Sequence, residues 1–172
     1  MGHTGRVDVL AALDVGTSAV FLRRARPGDV AAIVGLLAAD QLGTARDGVR
    51  TDADMRAYQR AFAEIDRDPA HVLVVAEAEG RVVATMQLSF LPGLARRGAL
   101  RAQVEAVRVH EAYRSFGVGG AMLAWAISEA RQRGCALIQL TTDKTRTDAH
   151  RFYERLGFVA SHEGMKLILD RE

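Results

Sequence analysis

The chemistry-bearing stretch of the chain is Val107-Arg108-Val109-His110-Glu111-Ala112-Tyr113-Arg114-Ser115-Phe116-Gly117-Val118-Gly119-Gly120-Ala121, a valine-rich run that enters a glycine-rich turn and then a helix-forming segment. Glycines lack a Cβ, so backbone built from Gly117, Gly119 and Gly120 approaches a ligand closely and its amides converge. The N-terminus of the following helix adds about half a positive charge. Together these suit a phosphate or pyrophosphate, and a phosphate-bearing cofactor is the first expectation. Two nucleotide motifs fail on spacing. Walker A needs a Lys-Ser or Lys-Thr after its glycines, and the dinucleotide fingerprint needs Gly-x-Gly-x-x-Gly, whereas the chain reads Gly117-Val118-Gly119-Gly120. A second candidate is Glu105, a carboxylate in the apolar run Val104-Glu105-Ala106-Val107, which is costly to bury unless paired or used.

The elements that must position these residues alternate in period. Residues 19–24 read as a strand, and Pro27 suits the first turn of a helix carrying Val30, Ile33, Val34 and Leu37. A loop over 43–48 precedes a helix capped by Thr51 or Asp52, with Met55, Tyr58, Phe62 and Ile65 on one face and Pro69 at its end. Residues 72–78 and 81–90 form a hairpin about Glu79-Gly80, and residues 100–109 form the strand before the glycine turn. A helix over 118–133 stops at Gly134. Residues 136–142 read as a strand, 149–156 as a short helix closed by Gly157, and 165–169 as a last strand, with 158–161 pairing nearby. The expectation is an α/β domain with one mixed sheet flanked by helices over residues 18–172, preceded by an extension over 1–17 that is partly ordered at most.

Arg114-x-x-Gly117-x-Gly119 matches the Arg/Gln-x-x-Gly-x-Gly/Ala signature of the GCN5-related N-acetyltransferases, and it follows a valine-rich strand as it does there. A second run, Ala149-His150-Arg151-Phe152-Tyr153-Glu154-Arg155-Leu156-Gly157-Phe158, resembles that family's late helix and following strand. The resemblance covers residues 19–169. It implies a single domain that moves an acetyl group from acetyl-coenzyme A to an amine, with a splay between the strands at 100–109 and 136–142 that admits the pantetheine arm.

The same resemblance implies residue roles. The backbone of Val107, Arg108 and Val109 would pair with pantetheine, and the amides of Arg114, Ser115, Phe116, Gly117, Val118, Gly119, Gly120 and Ala121 would hold the pyrophosphate, with the Arg114 guanidinium as a further contact. Tyr153 stands where the family commonly places a general acid for the departing thiolate. Glu105 is the candidate base, since an alkyl amine attacks only when neutral; His110, Glu111 and His162 are weaker ones. Where many members carry Asn, three residues before Ala149, this chain has Arg146, which would meet a phosphate or an acidic substrate. Each role has a plain alternative: a tight turn, a solvated arginine, a packed tyrosine, or a glutamate that pairs with Arg101 or Arg108 or faces solvent at a strand edge.

The 172 residues, 49% hydrophobic and 26% charged with a net charge of +2, fit one compact domain and carry too little charge for a nucleic-acid coat or a polybasic membrane anchor. The single Cys135 excludes an internal disulfide, no Cys/His spacing suggests zinc, and no apolar run is long enough to span a bilayer, so a cytoplasmic protein without a metal is expected. The leading expectation is acetylation of a small-molecule amine by direct attack in a ternary complex. A coenzyme A-binding sensor without turnover and a protein N-acetyltransferase are the alternatives, and a homodimer is implied by resemblance only. Acceptor selectivity is expected from residues 40–66, where Asp47, Asp52 and Asp54 would meet a cationic acceptor, and from the loop over 91–99.

Overall fold

A computed structural model describes residues 9–16, 19–39 and 47–169. Most of the expected loop over 43–48, the start of the acceptor segment over 40–66, and residues 1–8 of the N-terminal segment lie outside them.

Six strands form one sheet in chain order: β1 (Val9–Leu13), β2 (Val20–Arg24), β3 (His71–Ala78), β4 (Arg81–Leu91), β5 (Arg101–Val109) and β6 (Leu137–Leu140). Neighbours are antiparallel except β5 and β6, which run parallel. The parallel pair needs a crossover, supplied by α4 (Val118–Gln132). The stretch read as an extension contributes β1, whose Leu13, together with nearby Val15, is buried in the core.

Each face of the sheet carries its own apolar cluster. On one face α4 presents Val118, Met122, Leu123 and Ala126 to Leu22, Val74, Met86, Leu88 and Val104. On the other, α1 (Val30–Ala38) and α2 (Asp52–Arg67) bury Val30, Ile33, Val34 and Phe62 against Val75. α2 starts where its capping pair dictates. Asp54 N donates to Thr51 Oγ1 at 3.2 Å while Thr51 N donates to Asp54 Oδ2 at 2.9 Å, satisfying two amide groups that have no intrahelical partner. These bonds, led by that from the Arg50 amide, hold the Asp54 carboxyl below the ordinary carboxylate range.

The turn Pro27–Asp29 is tied to the sheet by a buried cation. Arg23 on β2 donates to both Asp29 oxygens at 2.6 and 3.0 Å and to Glu77 of β3 at 2.7 Å. Burial alone would raise the Asp29 carboxyl, but the bonds from Arg23 and from the Arg26 amide take it below its ordinary value. The bond to Asp29 likewise holds the guanidinium charged against the desolvation it suffers.

Two readings change at the C-terminus. Residues 165–169 form no strand, and residues 158–161 pair with no neighbour. β6 takes its ladder from β5 alone, Met165, Leu167, Ile168 and Leu169 are exposed, and Glu163 makes a surface ion pair with Lys144 at 2.9 Å. The single turn α3 (Ala95–Gly98) within the expected loop puts Arg96 and Arg97 in the left-handed region.

Replacing Arg23 by Met strands two carboxylates at a largely buried position, and a loss of about 3 kcal/mol in urea unfolding at pH 7 is expected. Because the folded Asp29 carboxyl lies below its unfolded value, its contribution is present above about pH 4 and fades as pH falls through the folded value. The gap between wild type and Arg23→Met therefore narrows in acid, whereas a gap independent of pH would contradict the assignment.

Candidate functional site

The site is built where β5 stops behaving as an ordinary strand. Its first half pairs with β6 from Arg101 opposite Leu137 to Val104 opposite Leu140, and there the parallel ladder ends. On its other side the register with β4 slips: Gln87 faces Glu105 but Thr85 faces Arg108, so Ala106 and Val107 together oppose one residue. Ala106 takes a positive φ of 54° to make this bulge. A bulge bends and twists its strand. The ladder with β6 ends at Val104, just before the bulge, so residues 105–109 present a backbone edge with no strand beside it among the described residues.

The bulge also sorts side chains. Val107 and Val109 pack with the α4 cluster, whereas Ala106 turns toward α1 and α2. Glu105 is exposed and makes no hydrogen bond or ion pair among the described residues, so of its two plain alternatives the pairing with Arg101 or Arg108 is absent and the solvent-facing carboxylate is the arrangement found. Arg108 donates through Nη1 to its neighbour's carbonyl, Val107 O, at 2.8 Å.

Past β5 the chain turns at Glu111–Tyr113, a short 3-10 helix capped by His110, whose Nδ1 accepts from the Ala112 amide at 3.2 Å. Arg114 Nε reaches back to Val109 O at 3.1 Å, fixing the turn to the end of the strand. Ser115 and Gly117 both have positive φ, 68° and 86°, and Gly117 is the N-cap of α4. The first bond of the helix is Ala121 N to Gly117 O at 2.9 Å. The amides of Val118, Gly119 and Gly120 precede it and lie in the first turn, where helical geometry offers no acceptor. A Cβ on Gly119 would stand 3.6 Å from both Phe152 Cζ and Val109 Cγ2, so this turn is packed between β5 and α5 (Thr147–Arg155). Phe116, beside it, is exposed.

α5 completes the site. Its Tyr153 ring contacts Phe152 and Phe158, with centroids 5.2 and 5.9 Å away, and packs against the α4-side core. Burial pushes the Tyr153 phenol above its ordinary value, and the charges of Arg146 and Arg108 offset part of that rise. Tyr153 thus lies within electrostatic reach of β5 on one side and of the turn before α5 on the other. That turn is ordered by Asp143, whose Oδ1 accepts from Thr145 N at 2.9 Å and Oγ1 at 2.6 Å, which holds the carboxyl low. Cys135 is half-buried, and burial pushes its thiol up, away from the thiolate a covalent route would need.

The structure therefore brings together Val107, Arg108, Val109, the turn from Arg114 to Ala121, Arg146 and Tyr153, with Glu105 on the same strand just before the bulge. The loop over 91–99 joins the opposite end of β5, five residues from the bulge at a strand rise of about 3.3 Å each. Reasoning from sequence missed Ala106 and Gln87. Alanine carries no mark of a positive φ, and only the unequal count of paired residues in β4 and β5 reveals the bulge.

Residues 29–158 match the family model described as the acetyltransferase (GNAT) family. The chain is 33% identical over 114 residues, 66% of its length and 73% of the relative's, to an aminoalkylphosphonate N-acetyltransferase of Salmonella typhimurium. It is 32% identical over 90 residues, 52% of its length and 59% of the relative's, to a glucosamine 6-phosphate N-acetyltransferase of Trypanosoma brucei brucei. Among solved structures, a transcriptional regulator from Bacillus halodurans C-125 superimposes with a TM-score of 0.83 at 46% identity, covering 87% of this chain and 99% of that one.

Gly117 and Gly119 separate two demands on the turn. Gly117→Ala forces a Cβ into the left-handed region and should cost about 1 kcal/mol, seen as a fall of about 2–4 °C in melting temperature. Gly119→Ala has room for its methyl at ordinary contact distance and should melt within about a degree of wild type. Equal losses would mean that packing rather than backbone conformation limits the turn.

Proposed function

The chain belongs to the acetyltransferase (GNAT) family and is an N-acetyltransferase, and from that premise we propose that it transfers the acetyl group of acetyl-coenzyme A to a small-molecule primary amine by direct attack in a ternary complex. The observation that carries the reading is the unpaired edge of β5 beyond Val104, which runs directly into the amide turn at Gly117. An extended amide arm laid along residues 107–109 takes the hydrogen bonds that β6 would otherwise make. The pyrophosphate joined to it meets the first-turn amides of α4, where the helix dipole favours negative charge. Arg114, bonded to Val109 O, stands where the strand enters this turn, and the charge of Arg146 acts on Tyr153. The donor set fits an anion held mainly by backbone, which a chain of net charge +2 supplies without a basic surface. Small amines are the acceptors in the names of both curated relatives, which supports a small-molecule acceptor over a protein.

The residues divide the proton work. An alkyl amine near pKa 10 is protonated at pH 7, so attack requires a proton acceptor. Glu105 takes that proton, directly or through a water, and the amine lone pair forms the C–N bond at the thioester carbonyl. The C–S bond breaks as the Tyr153 hydroxyl donates its proton to sulfur, the positively charged nitrogen formed by the attack gives its surplus proton to the tyrosinate through solvent, and Glu105 releases the proton it took, leaving an amide, a free thiol and one proton in water. Burial suits Tyr153 to this role because a raised phenol stays protonated across the working range.

Tyr153→Phe should lower kcat about 10²-fold with little change in the KM for acetyl-coenzyme A, measured by thiol release. Glu105→Gln should lower kcat/KM for the amine at pH 7, with the deficit shrinking as pH rises toward the amine's own pKa and free base becomes abundant. Binding of acetyl-coenzyme A with no transfer to any of a broad panel of amines would support instead a regulatory module, the role named for the Bacillus halodurans neighbour.

A further inference from the structure

A half-open apolar recess of about 90 Å³ lies between α1, α2 and the sheet, behind the bulge. Val34, Leu37, Phe62 and Leu73 form its apolar wall, and Gln87 and Ala106 form its rim on the sheet side. Tyr58 lines it with its ring while its hydroxyl is used elsewhere, accepting from the Gly48 amide at 3.2 Å and donating to Asp47 Oδ1 at 3.5 Å. Among the described residues no charged side chain lines the space. Gln87 is the Cα partner of Glu105 across the β4–β5 ladder, and Ala106 follows Glu105 in β5, so the rim and the proposed base belong to one patch of sheet. The Gln87 carboxamide has no hydrogen-bond partner among the described residues.

An apolar space of this kind holds water poorly, because a buried water needs several polar partners and this wall offers one residue. Its size sets a limit: an apolar cavity of about 150 Å³ accepts benzene, so this smaller one accepts a short alkyl group and not an aromatic ring. Resting on the acetyl-transfer reading above, we propose that the acceptor amine carries a short uncharged alkyl substituent. That substituent seats between α1 and α2, and the amine nitrogen lies at the rim beside Glu105 and the Gln87 carboxamide oxygen. The bulge is what links the two functions: by turning Ala106 toward α1 and α2, it places the smallest chiral side chain where the alkyl group must pass.

The test is thiol release from acetyl-coenzyme A with straight-chain amines from ethyl to hexyl, with isobutylamine, and with 2-aminoethylphosphonate. Each methylene that enters the cavity should raise kcat/KM about fourfold, with the gain ending near four carbons, and the phosphonate should be a poorer acceptor than propylamine. Phe62→Leu, which enlarges the cavity, should move the optimum to a longer chain, and Val34→Phe, which fills it, to a shorter one. Thermal melts establish that each variant is folded. If a variant fails to fold, the wild-type series still decides. A flat series, or a preference for the phosphonate, overturns the alkyl pocket while leaving acetyl transfer intact. An optimum that neither folded variant moves does the same. Absence of thiol release with every amine overturns both readings together.

Discussion

Strand β5 has to serve two neighbours of opposite direction, antiparallel β4 and parallel β6, and it does so for only half of its length. The extra residue at Ala106 sets that limit. Up to Val104 the strand is shared by both ladders; beyond the bulge it stays with β4, where His110 N still donates to Val83 O at 2.8 Å, and abandons β6. A sheet without this discontinuity would close its backbone bonds internally and offer nothing to an extended ligand. The positive φ at a non-glycine residue is strain retained at the place where the proposed cofactor edge begins, held by packing on both faces.

That packing is arranged so that neither face has to give way. α4 anchors the sheet through fully buried Met122 and Leu123, and its N-terminus is at the same time the turn proposed to hold the pyrophosphate. On the other face α1 is fixed at its start by the Arg23 cluster, which ties β2, β3 and the Pro27–Asp29 turn together before α2 closes over Val75. Removing water from three charged groups is expensive, and the cost is offset here because both Asp29 oxygens and Glu77 Oε2 meet a donor. Its effect is to hold α1 at a set height above β3 and β4, and that height is what leaves space behind the bulge.

How much of this is readable from sequence follows from which residues carry local marks. Gly117 announces itself because a turn with positive φ before a helix favours glycine, and Thr51 with Asp54 announces the start of α2. The β3–β4 hairpin shows in its valine-rich runs around Glu79-Gly80. The glycine turn before α4 and the place of Tyr153 on α5 were legible because each sits in a motif with fixed spacing. Ala106 was not, since a bulge is a property of two strands counted against each other and an alanine fits either register. The apolar stretch over 165–169 misled for a related reason: alternation predicts a strand only where an edge accepts it, and β6 pairs with β5 alone. Gln87 was hidden by its company, a polar residue in a strand whose neighbours Met86 and Leu88 are fully buried, and its place becomes clear only with the opposite face in view.

The proposed division of labour between the faces has a consequence for how such a domain changes acceptor. The nucleotide-bearing substrate would be held by backbone: the free edge of residues 107–109 and the first amides of α4 depend on chain direction, glycine conformation and the bulge, and hardly on side-chain identity. The acceptor would be held by side chains of α1, α2 and β4, none of which takes part in the amide turn. Substitutions at Val34, Leu37 or Phe62 therefore alter the size and polarity of the acceptor space at the expense of local packing alone, while the thioester is presented from the same strand edge. The two requirements meet at Ala106 and Glu105, where one backbone distortion both opens the edge for the thioester and sets the carboxylate beside the acceptor space. A change there would disturb both substrates at once, which makes the bulge the element least free to vary and the helical wall behind it the element most free.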